Sequence, residues 1–277
     1  MSNRPADLLA PDALEGQVAL VTGGGTGIGR ATALDLAKRG AAVVVTGRRP
    51  EPLAEVRDTI RAFGGRAVAL PADLREDDEV MRVVDGALGA YGSVDILVNN
   101  AGGQFMAAAE DITPHGWRAV QRISVDAAWT ITREVATRSM IPRRSGVVFF
   151  IAFSPRRGIA GMVHASAARA AVENLAAGLS LEWSRFGIRS ICIAPGTIAT
   201  DAVLEGYSAE DVERWTRGVP LGRLGEPEEV SGLICALASP IGSYVTGTTI
   251  TVDGGVDAWG SGEPAPPTAP SPVAEES

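Results

Sequence analysis

Residues 17–30 read QVALVTGGGTGIGR, a β-branched apolar run that enters a glycine-rich turn and leaves as an amphipathic helix. Nothing else in the chain limits the fold so strongly. Gly23, Gly27 and Gly29 have mechanical jobs here: a tight turn, close approach of backbone to an anion, and close packing of helix on strand. Backbone N–H groups and the positive helix end then face the space above the turn, an arrangement suited to a pyrophosphate. Gly25, Thr26 and Ile28 belong to the same candidate cradle. A glycine turn can also serve merely to reverse a chain. The strand before it, the helical pattern at 30–39 and a second strand at 41–46 favour a βαβ unit that holds a dinucleotide.

Strand-like runs recur at 18–22, 41–46, 67–70, 96–99, 147–151, 189–194 and 248–252, and helical patterns fill 52–63, 77–91, 114–140, 164–186 and 226–238. Such alternation predicts one α/β domain, a parallel sheet with helices on both faces. Residues 1–13 read as a flexible arm, 14–259 as the folded domain and 260–277, rich in Pro, Ala and Ser, as a disordered tail. The alanine-rich faces of the two longest helices suit packing between subunits, or equally a simply buried helix.

The formal charge of −8 argues against a nucleic-acid or anionic-membrane surface and leaves a small-molecule substrate as the expectation. Cys192 and Cys235 sit in apolar runs without metal-ligand or disulfide spacing, which fits core positions in a cytoplasmic protein. No stretch reads as a membrane span or secretory leader.

After the second strand, Thr46-Gly47-Arg48-Arg49 places two guanidinium groups where an acid would accept from a ribose 2′-hydroxyl. Arginine there favours a 2′-phosphate, hence NADP(H). Asp73, in the segment PADL with Leu74, is placed to accept from the adenine amine or to cap the following helix. Asn99, Ala101 and Gly102 follow the fourth strand at the carboxyl edge, where open α/β sheets bind ligands.

TGGGTGIG at 22–29, NNAG at 99–102, APGTIAT at 194–200 and TGTTITVDGG at 246–255 resemble the short-chain dehydrogenase/reductase family over roughly residues 14–256. The resemblance implies a single-domain Rossmann fold with seven parallel strands, a nicotinamide cofactor, and a homotetramer or homodimer assembled through the two long helices. It also implies that Asn99, Ala101, Gly102, Pro195, Gly196, Thr197 and Ile198 line the cofactor, the last four beside the nicotinamide.

The family's catalytic Asn, Ser, Tyr and Lys positions fall here on Ser124, Phe153, Ala165 and Arg169. A Tyr and a Lys four apart on one helix face lets the ammonium lower the phenol's pKa; this chain offers neither at those positions. Arg169 retains the donors needed to hold a nicotinamide ribose but does not shuttle protons. The segments 102–117, 163–175, 181–189, 220–230 and 239–247 are most similar to the peroxisomal trans-2-enoyl-CoA and 2,4-dienoyl-CoA reductases; in the dienoyl-reductase pattern a displaced Asn aligns with Asp126 and a displaced Tyr near Ser154, neither of which is retained here. Reducing an α,β-unsaturated thioester fits such a site, because the enolate formed needs hydrogen bonds more than a strong acid. Ser154 and Ser124 are candidate donors to the thioester oxygen, or ordinary partners of neighbouring backbone. Asp126 would orient a water or pair with Arg122. His164 would donate a proton or bond the helix start; His115 reads as a surface residue. Arg156 and Arg157 border the expected cleft.

Three readings follow: an NADPH-dependent enoyl reductase, a ketoreductase of aromatic or polyketide-like substrates that takes its proton from a substrate hydroxyl or water, and a non-redox NADP(H)-binding protein. Residues 199–223 are expected to cover the substrate, with Val203, Leu204, Tyr207 and Trp215 as an apolar lid.

Overall fold

The computed structural model describes residues 5–154 and 158–259. The chain starts with one 3-10 turn, Pro5–Leu8, then β1 (Val18–Thr22), α1 (Gly27–Lys38), β2 (Ala42–Gly47), α2 (Pro50–Ala62), β3 (Ala67–Pro71), α3 (Asp77–Tyr91) and β4 (Ile96–Asn99). A long helical rod follows, built of α4 (Pro114–Gln121), a wide turn Arg122–Asp126, α5 (Ala127–Val135), a second wide turn Ala136–Met140 and α6 (Ile141–Arg143). Then come β5 (Gly146–Ile151), α7 (Val163–Trp183), β6 (Ile188–Pro195), α8 (Asp201–Leu204), α9 (Ala209–Arg217), α10 (Pro227–Ala238), β7 (Thr249–Val252) and α11 (Val256–Trp259).

All seven strands run parallel in the order β3-β2-β1-β4-β5-β6-β7, the single-domain α/β architecture expected. Burial on both faces explains why the strands are continuous apolar runs rather than alternating ones. Ala19, Val21, Val43 and Phe149 point to the layer holding α1, α2 and α10. Leu20, Val44, Val148 and Phe150, one residue out of phase, point to the layer of α3, α5 and α7. Strand order reverses between β1 and β4, which opens a crevice above their carboxyl ends. Cys192 and Cys235 are buried free thiols, and burial pushes both thiol pKa values up, that of Cys192 to about 12.

The start of the chain corrects one expectation. Residues 5–14 are pinned rather than flexible: Ala6 and Leu14 are fully buried, and Arg39 donates to the Leu9 carbonyl at 2.7 Å and to the Asp7 carboxylate at 2.9 Å. Gly232 of α10 admits Pro5, since a Cβ at Gly232 would lie 2.6 Å from the proline's Cβ. The segment escapes periodicity because two buried side chains and one cation anchor it. The tail expected at 260–277 lies outside the described residues, as do Arg156 and Arg157.

Candidate active site

The turn after β1 is closed by backbone and one threonine. Thr22 Oγ1 donates to the Val98 carbonyl and accepts from the backbone N–H of Asn100 at 3.0 Å and of Ala101 at 2.9 Å. Asn100 Nδ2 donates to the carbonyls of Thr22 and Gly23, tying the end of β4 to the glycine turn. Gly23 and Gly27 hold φ of +62° and +51°, a region that side chains strain. A Cβ on Gly29 would sit 2.2 Å from the Gly23 carbonyl oxygen, so α1 contacts the turn with no room for a side chain.

Over this turn lies a groove of about 320 Å³, with Gly23, Gly25, Thr26 and Ile28 on one wall and Leu74, Ala101 and Gly102 opposite. Arg48 and Arg49 line its far end, both exposed. Gly27 does not reach the groove; its Cα side faces Thr200. Two expected residues stand apart. Asn99 is buried and donates to Thr132 Oγ1 at 2.8 Å, and Asn100 takes its place on the groove wall. Successive strand residues face opposite layers, so a shift of one at the end of β4 exchanges interior for crevice. Asp73 is held by Arg75 through side-chain and backbone bonds, which keep its carboxyl down at about 2, with Arg48 as a further lowering charge. It does not cap α3, whose N-cap is Glu76; its bond from the Arg75 N–H, 3.1 Å to Oδ1, closes the loop before that helix.

A second cavity, about 660 Å³, adjoins the groove and shares Ile28, Asn100 and Thr200 with it. Its floor is Pro195, Gly196, Thr197 and Ile198, where β6 ends. Arg169, in the second turn of α7, reaches down to donate to the Ile151 carbonyl at 2.5 Å, and its guanidinium lies where a Cβ on Gly102 would be. Desolvation pulls its pKa to about 10, which leaves it charged at neutral pH. Met106, Phe153, Ile159, Met162, Val203 and Trp215 make most of the remaining wall apolar.

Ser154 lines this cavity, but its hydroxyl donates to Asp253 at the end of β7 while its N–H donates to the Pro195 carbonyl at 2.7 Å. The expected donor is therefore engaged elsewhere. Asp253 is fixed in turn by the N–H groups of Gly255 and Asp257, a brace that the sequence motif TVDGG did not disclose. Ser124 is buried without a hydrogen-bond partner for Oγ among the described residues and lines neither space. Asp126 is exposed, and its expected partner Arg122 instead bonds the Arg75 carbonyl and Glu76. Residues 122–126 form a π-turn, which breaks the i, i+4 relation on which the Arg122–Asp126 pairing was expected.

His164 is buried against Phe105, ring centroids 4.2 Å apart, and neither ring nitrogen has a hydrogen-bond partner among the described residues. Burial lowers its pKa, and it does not line the cavity. Its carbonyl, not its ring, makes the contact, accepting from Gln121 Nε2. His115 is exposed, as expected, but in the first turn of α4 rather than in a loop. Of the four apolar residues expected over the substrate, Val203, Tyr207 and Trp215 line the cavity, whereas Leu204 is 52% exposed and does not.

A glycine cradle at a strand-order reversal, opening into an apolar cavity floored by β6, defines a dinucleotide-dependent oxidoreductase of the Rossmann class. Comparison with known proteins narrows this. The family model described as Enoyl-(Acyl carrier protein) reductase matches residues 23–257. A Bacillus subtilis (strain 168) protein named Probable 2,4-dienoyl-CoA reductase is 38% identical over 87% of this chain and 97% of its own length. The Arabidopsis thaliana peroxisomal 2,4-dienoyl-CoA reductase is 36% identical over 89% and 86%. Among solved structures, a short-chain type dehydrogenase/reductase from Mycobacterium marinum superposes with a TM-score of 0.84 at 33% identity, over 88% of this chain and 96% of its own. A Beutenbergia cavernae structure with NADP bound at low occupancy gives 0.83 at 37% over 90% and 100%. The chain belongs to the short-chain dehydrogenase/reductase family.

Two features of the composition bear on its chemistry. The sequence contains one lysine, Lys38, which lies in α1 and pairs with Asp35 at 3.5 Å. Of its three tyrosines, Tyr244 is fully exposed and Tyr91 lies under the Arg66 guanidinium, which leaves Tyr207 as the phenol in the cavity wall. No group of His, Cys, Asp and Glu among the described residues has metal-holding geometry, and no helix among them is long and apolar enough to cross a membrane.

Proposed function

We propose that this chain is an NADPH-dependent reductase of a conjugated C=C bond, acting on an enoyl thioester or a similar acceptor without a Tyr–Lys pair. The observation that carries the reading is the apolar cavity of about 660 Å³ that continues from the dinucleotide groove and contains Arg169 but no lysine. The residues fit the cofactor. Gly23, Gly25 and Thr26 would receive the pyrophosphate at the start of α1, and Arg48 with Arg49 would take the 2′-phosphate. Arg75 pairs with Asp73 nearby, so that carboxylate does not oppose the phosphate. Arg169 would hold the nicotinamide ribose. When bound, the reduced nicotinamide supplies a hydride.

An enoyl thioester suits the rest of the site. Its acyl chain matches the apolar wall, and charge developing on its carbonyl oxygen is stabilised by donors and by the fixed positive charge of Arg169. A ketone reduced to an alcohol needs a proton on oxygen, the task for which the family's phenol and ammonium are paired. The names of the Bacillus and Arabidopsis relatives support the same substrate class. The alternative, ketone reduction, has support in the 36% identity to a Synechocystis 3-oxoacyl-[acyl-carrier-protein] reductase. Supplying NADPH with a panel of enoyl, dienoyl and 3-oxoacyl thioesters separates them. Cofactor oxidation is expected with the first two; oxidation with the 3-oxoacyl compounds alone overturns the proposal, and tight NADPH binding with no oxidation supports a non-redox role.

A further inference from the structure

We infer that Tyr207 is the proton donor of this reductase, presented to the substrate by the segment between β6 and α10. The inference rests on the enoyl-reductase reading. It comes from what the other polar groups of the cavity are already doing. Ser154 gives its hydroxyl hydrogen to Asp253, and Asn100 gives both bonds from Nδ2 to the glycine turn. Arg169 is anchored on the Ile151 carbonyl and Arg214 on Asp211, and a guanidinium keeps its protons in any case. Gln104, Thr197, Thr200 and Tyr207 remain, and of these only the phenol is an acid.

Tyr207 is also held in place. Its ring meets Trp215 of α9 edge to face, centroids 4.7 Å apart and planes at 74°, a favoured aromatic geometry. Its hydroxyl has no hydrogen bond among the described residues, so it is free to meet a ligand. Among the described residues no Asp or Glu lines the cavity, whereas Arg169 and Arg214 do.

The step balances. Hydride adds to the β-carbon, the C=C π electrons move to the thioester carbonyl as an enolate, and the Tyr207 O–H bond breaks as a C–H bond forms at the α-carbon. The phenolate recovers a proton from water at the open mouth. The reductant is the reduced nicotinamide dinucleotide.

Tyr207→Phe tests this, because it keeps the ring and its contact with Trp215. With NADPH and an enoyl thioester, kcat is expected to fall about 10²–10³-fold with little change in KM, the scale of a lost general acid. In D2O the wild type is expected to place deuterium on one face of the α-carbon and the variant on both. A third readout needs no cofactor: a saturated acyl thioester should perturb the phenol ultraviolet difference spectrum of the wild type, and that signal should vanish in Y207F. A variant that keeps kcat and single-face labelling overturns the assignment alone. A wild type that oxidises no NADPH with any enoyl thioester overturns the reductase reading, and this assignment with it.

Discussion

The dinucleotide groove and the cavity beside it share the carboxyl edge of one sheet but are made of different material. The groove is shaped by backbone: Gly23, Gly27 and Gly29 set its curvature, and Thr22 and Asn100 lock that curvature through main-chain groups. The cavity is shaped by side chains, several contributed by a connection between β6 and α10 that carries two short helices. Backbone shape tolerates almost no substitution, whereas a side-chain wall can be rebuilt one residue at a time.

Substitutions on the two sides should break differently. Gly29→Ala brings a Cβ against a carbonyl oxygen that cannot move away, so NADPH binding should fall at least about 100-fold and stability by about 1–3 kcal/mol or more, seen by calorimetry. Gly178→Ala on α7 is the control: open space surrounds its Cβ, and helical alanine should gain up to about 1 kcal/mol. Arg169→Ala removes a charged donor from the seam between the two regions, and kcat/KM should drop by about 10–100-fold, the scale of a charge-assisted hydrogen bond. Arg48→Glu should reverse the preference for NADPH over NADH while leaving turnover with saturating NADH intact.

The smallest effect is expected from Arg75→Ala, which releases Asp73 beside Arg48. NADPH affinity should weaken several-fold and NADH affinity should not. Its pH dependence has a definite sign. The hydrogen bond from the Arg75 guanidinium holds the Asp73 carboxyl at about 2, below its ordinary 3.8, so the stability it contributes is present above 3.8 and is lost as pH falls toward 2. Melting temperatures of wild type and R75A should therefore differ near neutrality and converge in acid.

Sequence exposed the groove better than the cavity for a physical reason. Glycines at 23, 27 and 29 act through the side chain they lack, so their spacing states the geometry directly. The strand of the Asn99–Asn100 pair was equally plain, yet which asparagine faces the crevice depended on a parity that changes with one residue. The Arg122–Asp126 pairing fails because a π-turn adds a residue that α-helical spacing does not count. The engagement of Ser154 by Asp253 joins residues 99 apart in sequence, and only the meeting of β5 and β7 flanks with β6 reveals it. Tyr207 is legible as cover over a substrate, but its standing as a free phenol needs the partners of Ser154, Asn100, Arg169 and Arg214.

The direct test of the account is the destination of the hydride. NADPH deuterated at the transferable hydrogen, turned over with an enoyl thioester, should yield a saturated thioester labelled at the β-carbon, detectable by deuterium NMR. Label on a carbinol carbon of a 3-oxoacyl substrate, with none entering the enoyl compound, would contradict it.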